Sequence, residues 1–144
     1  MKIALFLLTL CFCINAEAQY KNKNSIYGNT ISVLYDKLLE NGVLSKTDTL
    51  YIILNEGVDI DNKQDKIDRI ISFETPFLRN GESLPIYIIN PCVIKKNSAI
   101  IIINICQIKR KKNELRIISS GTFVFYYEII CGFYKLIKIE NRGI

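Results

Sequence analysis

The apolar and polar positions divide the chain into one helical segment and a series of strand-like segments. Between residues 25 and 40 the apolar side chains recur at spacings of three and four, which places them on one stripe of a helix. The stripe consists of Tyr27, Ile31, Leu34, Tyr35 and Leu38. Asn41-Gly42 follows and is a typical helix stop. The sequence therefore predicts an N-terminal helix of about 15 residues with one apolar face.

After the helix, the pattern changes to runs of β-branched and aromatic residues separated by polar turns. LYIILNE is the first run, and the polar segment 57–83 that follows is compatible with a long loop or with a short helix and a strand. The later runs are LPIYIIN, SAIIIINICQIKR, ELRIISSGTFVFYYE and FYKLIKIE. Turns are predicted near Lys95-Lys96-Asn97, Lys111-Lys112-Asn113 and Cys131-Gly132. This pattern predicts an α+β fold, with the helix packed on an antiparallel β-meander of about four to five strands.

Alternation along these runs places apolar residues on both faces of the predicted sheet. In the run 98–109, one face carries Ile101, Ile103 and Ile105, and the other carries Ile100, Ile102, Asn104, Cys106 and Ile108. In the next run, the two sides are Phe123, Phe125 and Tyr127 against Ile118, Val124 and Tyr126. Both faces need cover. One helix covers only one, so the second face must meet the segment 57–83, a second subunit or a ligand.

A helix followed by a curved antiparallel meander is similar in layout to cystatin-like and NTF2-like α+β domains. The Gln-x-Val-x-Gly pattern of cystatins is absent from the chain. The resemblance therefore concerns the layout of the fold and implies no functional residues.

Residues 1–18 have the character of a secretory signal peptide. Lys2 precedes an apolar run from Ile3 to Ile14, and Ala16-Glu17-Ala18 supplies the small-x-small pattern of a cleavage site. The apolar run is too short to span a bilayer. We therefore expect cleavage after Ala18, a mature domain at 19–144 without a transmembrane segment, and export to a bacterial periplasm or out of the cell. The alternatives are an uncleaved N-terminal anchor and lipidation at Cys11 or Cys13, although the large Leu10 and Phe12 precede those cysteines.

Charge and the isoleucine-rich run narrow the range of partners. The mature chain keeps the formal net charge of +5, because Lys2 and Glu17 leave together. That surplus is too small to indicate a nucleic-acid binder, and we expect no nucleic-acid partner.

The run 99–108 is about half the length of a transmembrane helix and contains polar residues. We interpret it as a strand, with Lys109, Arg110, Lys111 and Lys112 at a solvated hairpin turn; an anion-binding patch or a membrane contact is the alternative.

The residue types exclude several chemistries. The chain contains no histidine, which removes the commonest general base and metal ligand. It also lacks a phosphate-binding glycine loop and a nucleophile elbow. The acidic stretch 59–68 departs from a calcium loop, because Lys63, Gln64 and Ile70 stand where ligands and the glycine should be. We expect no cofactor and no metal site, and the sequence favours a protein without catalysis.

A few residues remain as candidates for a site. Tyr126, Tyr127, Tyr134 and Glu128 are candidates for a pocket or an interface. Tyr126 and Tyr127 must point to opposite faces, because successive strand residues alternate. After signal cleavage three cysteines remain, and the meander brings the turns near Cys92 and Cys131 to the same end of the sheet. We therefore hypothesise a Cys92–Cys131 disulfide, with Cys106 a free buried thiol.

Three functions remain open. The first is a small exported, non-catalytic binding or protein-interaction domain that uses its second apolar sheet face to hold a partner or a copy of itself. The second is a ligand-pocket protein or an NTF2-like enzyme that acts on a small apolar molecule. The third is a structural component of the cell envelope. The missing catalytic groups and the two-sided apolar strands favour the first function.

Overall fold

The structure is a computed structural model, and it describes residues 23–58, 60, 71–74 and 76–143. The predicted signal peptide and its cleavage point after Ala18 lie outside the described residues, as does most of the acidic stretch. The described chain combines one helix with a β-sheet, which confirms the α+β class. No helix in these ranges is both long and apolar enough to cross a membrane.

Helix α1 spans Lys23–Glu40 and turns its apolar stripe toward the sheet. All five predicted stripe residues are buried, because residues three and four apart share one face of a helix. At the end of the helix the Val43 amide donates to the Leu38 carbonyl. The Gly42 amide donates to the Leu39 carbonyl. These two bonds form a Schellman motif, in which Gly42 adopts the positive φ of 68° that its position requires.

Seven strands of the described ranges form one sheet. Their bounds are β1 Leu50–Leu54, β2 Ile71–Ser72, β3 Ser83–Ile89, β4 Val93–Lys95, β5 Ser98–Lys111, β6 Glu114–Ile130 and β7 Phe133–Asn141. The order across the sheet is β2-β1-β3-β5-β6-β7, with β4 paired to β5 beyond the end of β3. β5 and β6 are the longest strands, and they consist mainly of the β-branched and aromatic residues that suit a sheet.

The later part of the sheet is antiparallel and the earlier part is not. β3 pairs with β5, β5 with β6 and β6 with β7, each in antiparallel register. β1 instead runs parallel to both β2 and β3. A parallel neighbour needs a crossover connection, and the chain between β1 and β3 is long enough to provide it. The sheet is therefore mixed, whereas the sequence predicts a purely antiparallel meander.

Three two-residue turns connect the later strands at the predicted places. They are Lys96-Asn97, Lys112-Asn113 and Cys131-Gly132. The first residue of each turn has a positive φ between 49° and 56°, a conformation that short hairpin turns commonly need. Because β5 extends to residue 111, Lys112 is the one member of the predicted basic turn that lies in the turn itself, and residues 109–111 belong to the strand.

The main core lies between α1 and one face of the sheet. The fully or nearly buried sheet residues in it include Ala99, Ile101, Ile103, Phe123, Phe125 and Tyr127. They follow the predicted alternation of β5 and of the second part of β6. A buried pair of hydroxyl groups joins the two layers, since Thr30 Oγ1 lies 2.6 Å from Tyr127 OH. Thr30 Oγ1 also donates to the Ile26 carbonyl one helical turn earlier.

A β-bulge divides β6 into two halves. In the ladder with β5, Ile105 lies opposite Gly121. The next pair is Cys106 with Ser119, so Ser120 has no partner of its own. An extra residue of this kind reverses the alternation of side chains beyond it.

The bulge changes which side of the sheet the outer half of β6 presents. Ile118 lies opposite Gln107, on the helix side of the sheet. Uniform alternation predicts Ile118 on the side of Val124 and Tyr126, and that prediction is wrong. The physical reason is the one inserted residue, which shifts every earlier position to the other face.

Candidate functional site: the open face of the sheet

The sheet face opposite α1 is the candidate functional site, and we call it the open face. Its positions on β5 are Ile100, Ile102, Asn104, Cys106 and Ile108. α1 packs on the other face, and in the part of the chain that the structure describes no second helix covers this one. The open face has three regions, which are a closed end, an apolar centre and a charged border.

The closed end lies toward the β5–β6 turn and is covered by the segment that precedes β3. The buried side chains in this cluster are Leu78, Ile86, Cys106 and Ile108. The Leu78 carbonyl accepts a hydrogen bond from Arg110 Nη1 at 3.4 Å, which holds the segment against β5. Part of the predicted turn-rich segment therefore covers part of the open face, as one of the alternatives from the sequence requires.

The centre of the open face is apolar and remains partly accessible to solvent. Ile88, Ile100 and Ile102 are each half-buried there. Val93 of β4 lies opposite Ile100 and is 49% exposed. Tyr126 of β6 lies opposite Ile100 on the other side and is half-buried. These neighbouring side chains form an apolar strip across β4, β5 and β6.

Three charged residues border the apolar centre. Lys138, Glu140 and Arg142 occupy alternate positions near the end of the chain and therefore point to the same face. Tyr126 OH donates to Glu140 Oε2 at 3.1 Å and accepts from Arg142 Nη2 at 2.9 Å. Lys138 Nζ donates to the second carboxylate oxygen of Glu140. Its ammonium group also lies 5.8 Å from the centroid of the Tyr126 ring.

Contacts among the three groups of this border shift their pKa values toward the charged forms. Hydrogen bonds from Lys138 and then Arg142 lower the pKa of Glu140 from 4.5 to about 2. The bond to Glu140 is also the main cause of a raised pKa at Lys138. Each group favours the charged form of its partner. One carboxylate faces two cations, so the border keeps a positive charge at neutral pH.

A shallow depression of about 600 Å³ lies at the end of the open face away from Leu78. It is lined by Lys95, Lys96, Asn97, Ser98, Glu128 and Ile137. Glu128, one of the predicted site residues, is exposed there and lies opposite Ser98 in the ladder. Small-molecule sites bury most of the surface of their ligand. This depression is wide open to solvent and contacts a ligand from one side only.

The three predicted tyrosines separate into two environments. Tyr126 lies on the open face, whereas Tyr127 is buried against α1. Burial raises the pKa of Tyr127 to about 12, and its bond with Thr30 offsets part of that rise. Tyr134 packs at the margin of the same helix-side core. Of the predicted site residues, the structure therefore brings Tyr126 and Glu128 to the open face and places Tyr127 and Tyr134 in or beside the core.

Cys92, Cys106 and Cys131 are free thiols in the structure. Cys92 is half-buried, its amide donates to Tyr27 OH at 2.7 Å, and burial raises the pKa of its thiol. β4 continues the line of β3, so Cys92 lies level with Phe125 in the ladder. Cys131 is about 20 Å further along the strand direction. The Cys92–Cys131 disulfide is absent from the structure and stays a prediction that thiol counting can decide.

The charged border is the part of the site that the sequence analysis missed. Its signal is Lys138-x-Glu140-x-Arg142, three charges at alternate positions, of which two end the predicted strand 133–140 and the third lies just beyond it. Alternation places them on one face, but nothing in the pattern reveals that Tyr126, on the neighbouring strand, completes the group. The register of β6 against β7 provides that contact.

No protein-family model matches the chain, and neither a curated protein nor a solved structure matches it. Within the described ranges, no group of three or more cysteine, aspartate or glutamate side chains is arranged to hold a metal ion. What the open face can bind therefore follows from its own chemistry, which combines an accessible apolar strip with a border of fixed charges.

Proposed function

We propose that this chain is a small exported binding domain without catalytic activity, and that it recognises a protein partner through the open face. The observation that carries the proposal is the accessible apolar centre, where no described segment covers Val93, Ile100 and Tyr126 as Leu78 covers the closed end. A cystatin-like or NTF2-like layout is part of the proposal at the level of the fold alone.

The chemistry of the open face suits a protein partner. Protein interfaces combine an apolar centre with a polar rim, and the open face has both. Tyrosine and arginine are enriched among the residues that dominate binding energy. Tyr126 and Arg142 are already held together by a direct hydrogen bond. Because this bond fixes their side chains before a partner arrives, less conformational entropy is lost on binding.

The proposal of a non-catalytic role rests on the groups that the chain offers. A general base works best when its pKa lies near the working pH. The pKa of Glu140 is held at about 2 by its two cationic neighbours, so its carboxylate is a weak base at neutral pH. The chain has no histidine to take that role. A binding function needs neither group to titrate.

The alternative is a ligand-pocket protein or an NTF2-like enzyme acting on a small apolar molecule. That function needs a cavity that encloses its ligand. The depression beside Glu128 is shallow and wide open to solvent. Its geometry therefore favours contact with a large surface over capture of a small molecule.

Two neighbouring residues of β4 provide a matched test of the open face. Val93 and Ile94 are 49% and 50% exposed and lie on opposite sides of the sheet. A photo-crosslinking amino acid at position 93 of the full chain, expressed in the native host, should capture one discrete protein. The same group at position 94 should not. Equal capture from both positions, or none from position 93, would contradict the proposal.

The identity of the captured product separates a foreign partner from self-association. Tryptic peptides of the crosslinked product that derive solely from this chain would assign the open face to a second copy. Peptides from another protein would assign it to a heterologous partner. Sedimentation velocity of the purified chain provides the control, because a self-associating face predicts a dimer at micromolar concentration.

Export is the second half of the proposal and has its own test. The intact mass of the protein from its native host should begin at Gln19. A mass that begins at Met1, or at a lipidated Cys11 or Cys13, would contradict soluble export and indicate an envelope component. Alkylation without reduction counts the thiols of the same sample. Three labelled cysteines match the free thiols of the structure. A single labelled cysteine that maps to Cys106 would establish the Cys92–Cys131 disulfide.

A further inference from the structure

The outer half of β6 has an unpaired edge. β7 pairs with residues 123–130, and Thr122 exchanges two backbone hydrogen bonds with Arg142. Residues 114–119 pair with β5 on their inner side. Among the strands that the structure describes, none lies along their outer side. Every residue from 111 to 120 is exposed, so this edge is accessible to another chain.

The ladder bonds identify the backbone groups that face outward. The Arg110 amide donates to the Glu82 carbonyl, on the β3 side of β5. Because the bonds of an antiparallel strand alternate in direction, Lys109 bonds toward β6, where its partner is Arg116. The intervening residues of β6 therefore direct their amides and carbonyls away from β5. These residues are Leu115, Ile117 and Ser119.

The positive charge of the protein is concentrated beside this edge. Residues 109–116 contain five basic residues and one acidic residue, which amounts to +4 of the formal net charge of +5. Arg116 and Lys109 are cross-strand neighbours and lie on the helix side of the sheet. Two copies of such an edge repel each other. Charge complementarity instead favours an acidic partner.

The other side of the same hairpin carries two exposed apolar residues, next to Arg110. Leu115 and Ile117 are 46% and 54% exposed there, and Ile117 lies opposite the buried Ile108. A strand added to this edge would direct alternate side chains to the two sides of the sheet. One set would contact Leu115 and Ile117, and the other set would lie beside Arg116.

We propose that the outer edge of β6, from Leu115 to Ser119, binds an extended acidic peptide segment as an additional strand. The segment would place apolar side chains against Leu115 and Ile117 and carboxylates beside Arg116 and Lys109. In strand addition the backbone bonds supply affinity and the alternate side chains supply specificity. The inference concerns a second surface and does not depend on the apolar centre of the open face.

Amide hydrogen exchange of the full chain tests the proposed geometry directly. The probe is an eight-residue peptide of alternating glutamate and valine, blocked at both ends. On binding, the amides of Leu115, Ile117 and Ser119 should exchange about tenfold more slowly. The amides of Arg116 and Ile118 already bond to β5 and should change little. Binding without this alternation, or no binding of the peptide, would overturn the proposal.

A proline substitution separates the backbone contact from the side-chain contact. Ile117→Pro removes an outward amide and leaves the bonds to β5 intact, because proline lacks only its own N–H. It should weaken peptide binding about tenfold. Ile117→Thr keeps the amide and the β-branched shape and should stay within about threefold of the original affinity. If Ile117→Pro binds as tightly as the original chain, the strand-addition geometry is wrong.

Charge variants keep the proposal testable if the proline disturbs the hairpin. Replacing Lys109 and Arg116 with glutamine should also weaken binding of the glutamate peptide. This loss of affinity should be smaller at high salt. A matched peptide with lysine in place of glutamate should not bind. Equal binding of the lysine peptide, or binding to phosphatidylglycerol vesicles without binding to the peptide, would overturn the proposal. None of these results bears on crosslinking at Val93, so the two proposals can fail separately.

Discussion

The two halves of β6 are one strand in two environments. The inner half, 121–130, has β5 on one edge and β7 on the other, and α1 covers one of its faces. The outer half, 114–120, has β5 alone and is exposed throughout. Both halves carry strings of apolar residues. Phe123, Val124 and Phe125 are buried, whereas Leu115, Ile117 and Ile118 are about half exposed.

This difference shows that the elements packed against an apolar side chain, and not its residue type, decide whether it is buried or exposed. A buried side chain stabilises the fold in proportion to the apolar area removed from water. A half-exposed side chain leaves much of that free energy available for a partner. The inner half therefore contributes to folding, and the outer half remains available for binding.

The largest expected effect contrasts Phe125 with Ile117. Phe125→Ala removes a fully buried ring and should lower the free energy of unfolding by about 3–5 kcal/mol. Ile117→Ala should lower it by less than about 1 kcal/mol, because half of the side chain is already in water. Urea unfolding of both variants measures the difference. Similar losses at the two positions would show that the outer half is covered in solution.

A smaller effect is expected at the boundary between the halves. A Cβ at Gly121 would lie 2.8 Å from the Cα of Gly143, closer than folded chains allow. Gly121→Ala should therefore lower the free energy of unfolding by about 1–3 kcal/mol, as overpacking at other sites does. It should also speed exchange of the Thr122 amide, which bonds to the Arg142 carbonyl.

Truncation provides the control for this boundary variant. A chain that ends at Arg142 lacks Gly143, whose Cα is the nearest atom to the new methyl group, and keeps the Arg142 carbonyl oxygen at 3.3 Å. Gly121→Ala should then cost much less in the truncated chain than in the full one. An equal loss of stability in both chains would show that the strain does not arise where Gly143 lies against β6.

Tyr126 and Tyr127 give a third contrast, between the two faces of the inner half. Tyr127→Phe deletes the bond to Thr30 inside the core and should cost about 1 kcal/mol, since Thr30 keeps its bond to Ile26. Tyr126→Phe should cost less, because water can replace its hydroxyl on the open face. Thermal or urea unfolding of the two variants measures the ranking. A larger cost at Tyr126 would mean that the charged border stabilises the fold more than the core hydroxyl pair does.

The smallest effect is a pH dependence from the charged border. The pKa of Glu140 is lowered from 4.5 to about 2 in the folded chain. A lowered pKa stabilises the fold above the unfolded value, so this contribution should disappear as the pH falls from 4.5 toward 2. Glu140→Gln should show a shallower loss of stability over that window. If the free energy of unfolding falls equally with pH in the original chain and in Glu140→Gln, the contacts with Lys138 and Arg142 do not persist in solution.

Much of the local structure could be predicted from the sequence. The stripe from Tyr27 to Leu38, the stop at Gly42 and the three hairpin turns all depend on interactions within a few residues. The alternation of β5 could be predicted for the same reason. The parallel pairing of β1 with β3 could not, because that contact joins residues far apart in the chain and has no local signal.

The open face could be predicted only in part. Alternation indicated that the face is apolar and includes Tyr126. It did not indicate that Leu78 covers one end, or that Lys138, Glu140 and Arg142 assemble around the tyrosine. These contacts depend on the register between strands and on the path of a loop. Neither is encoded in the spacing of apolar residues.

The sequence by itself determined which residues are apolar, where the helix ends and where the chain reverses direction, because these features follow from side-chain periodicity and turn preferences. Only the tertiary structure decided which apolar residues outside the helical stripe and the alternation of β5 are buried. The bulge at Ser120 moves Ile118 to the other face of the sheet. α1 and β7 do not extend along the outer half of β6, so that half is exposed. Burial depends on what packs against a residue, and the element that covers the inner half of β6 is α1, which comes from a distant part of the chain.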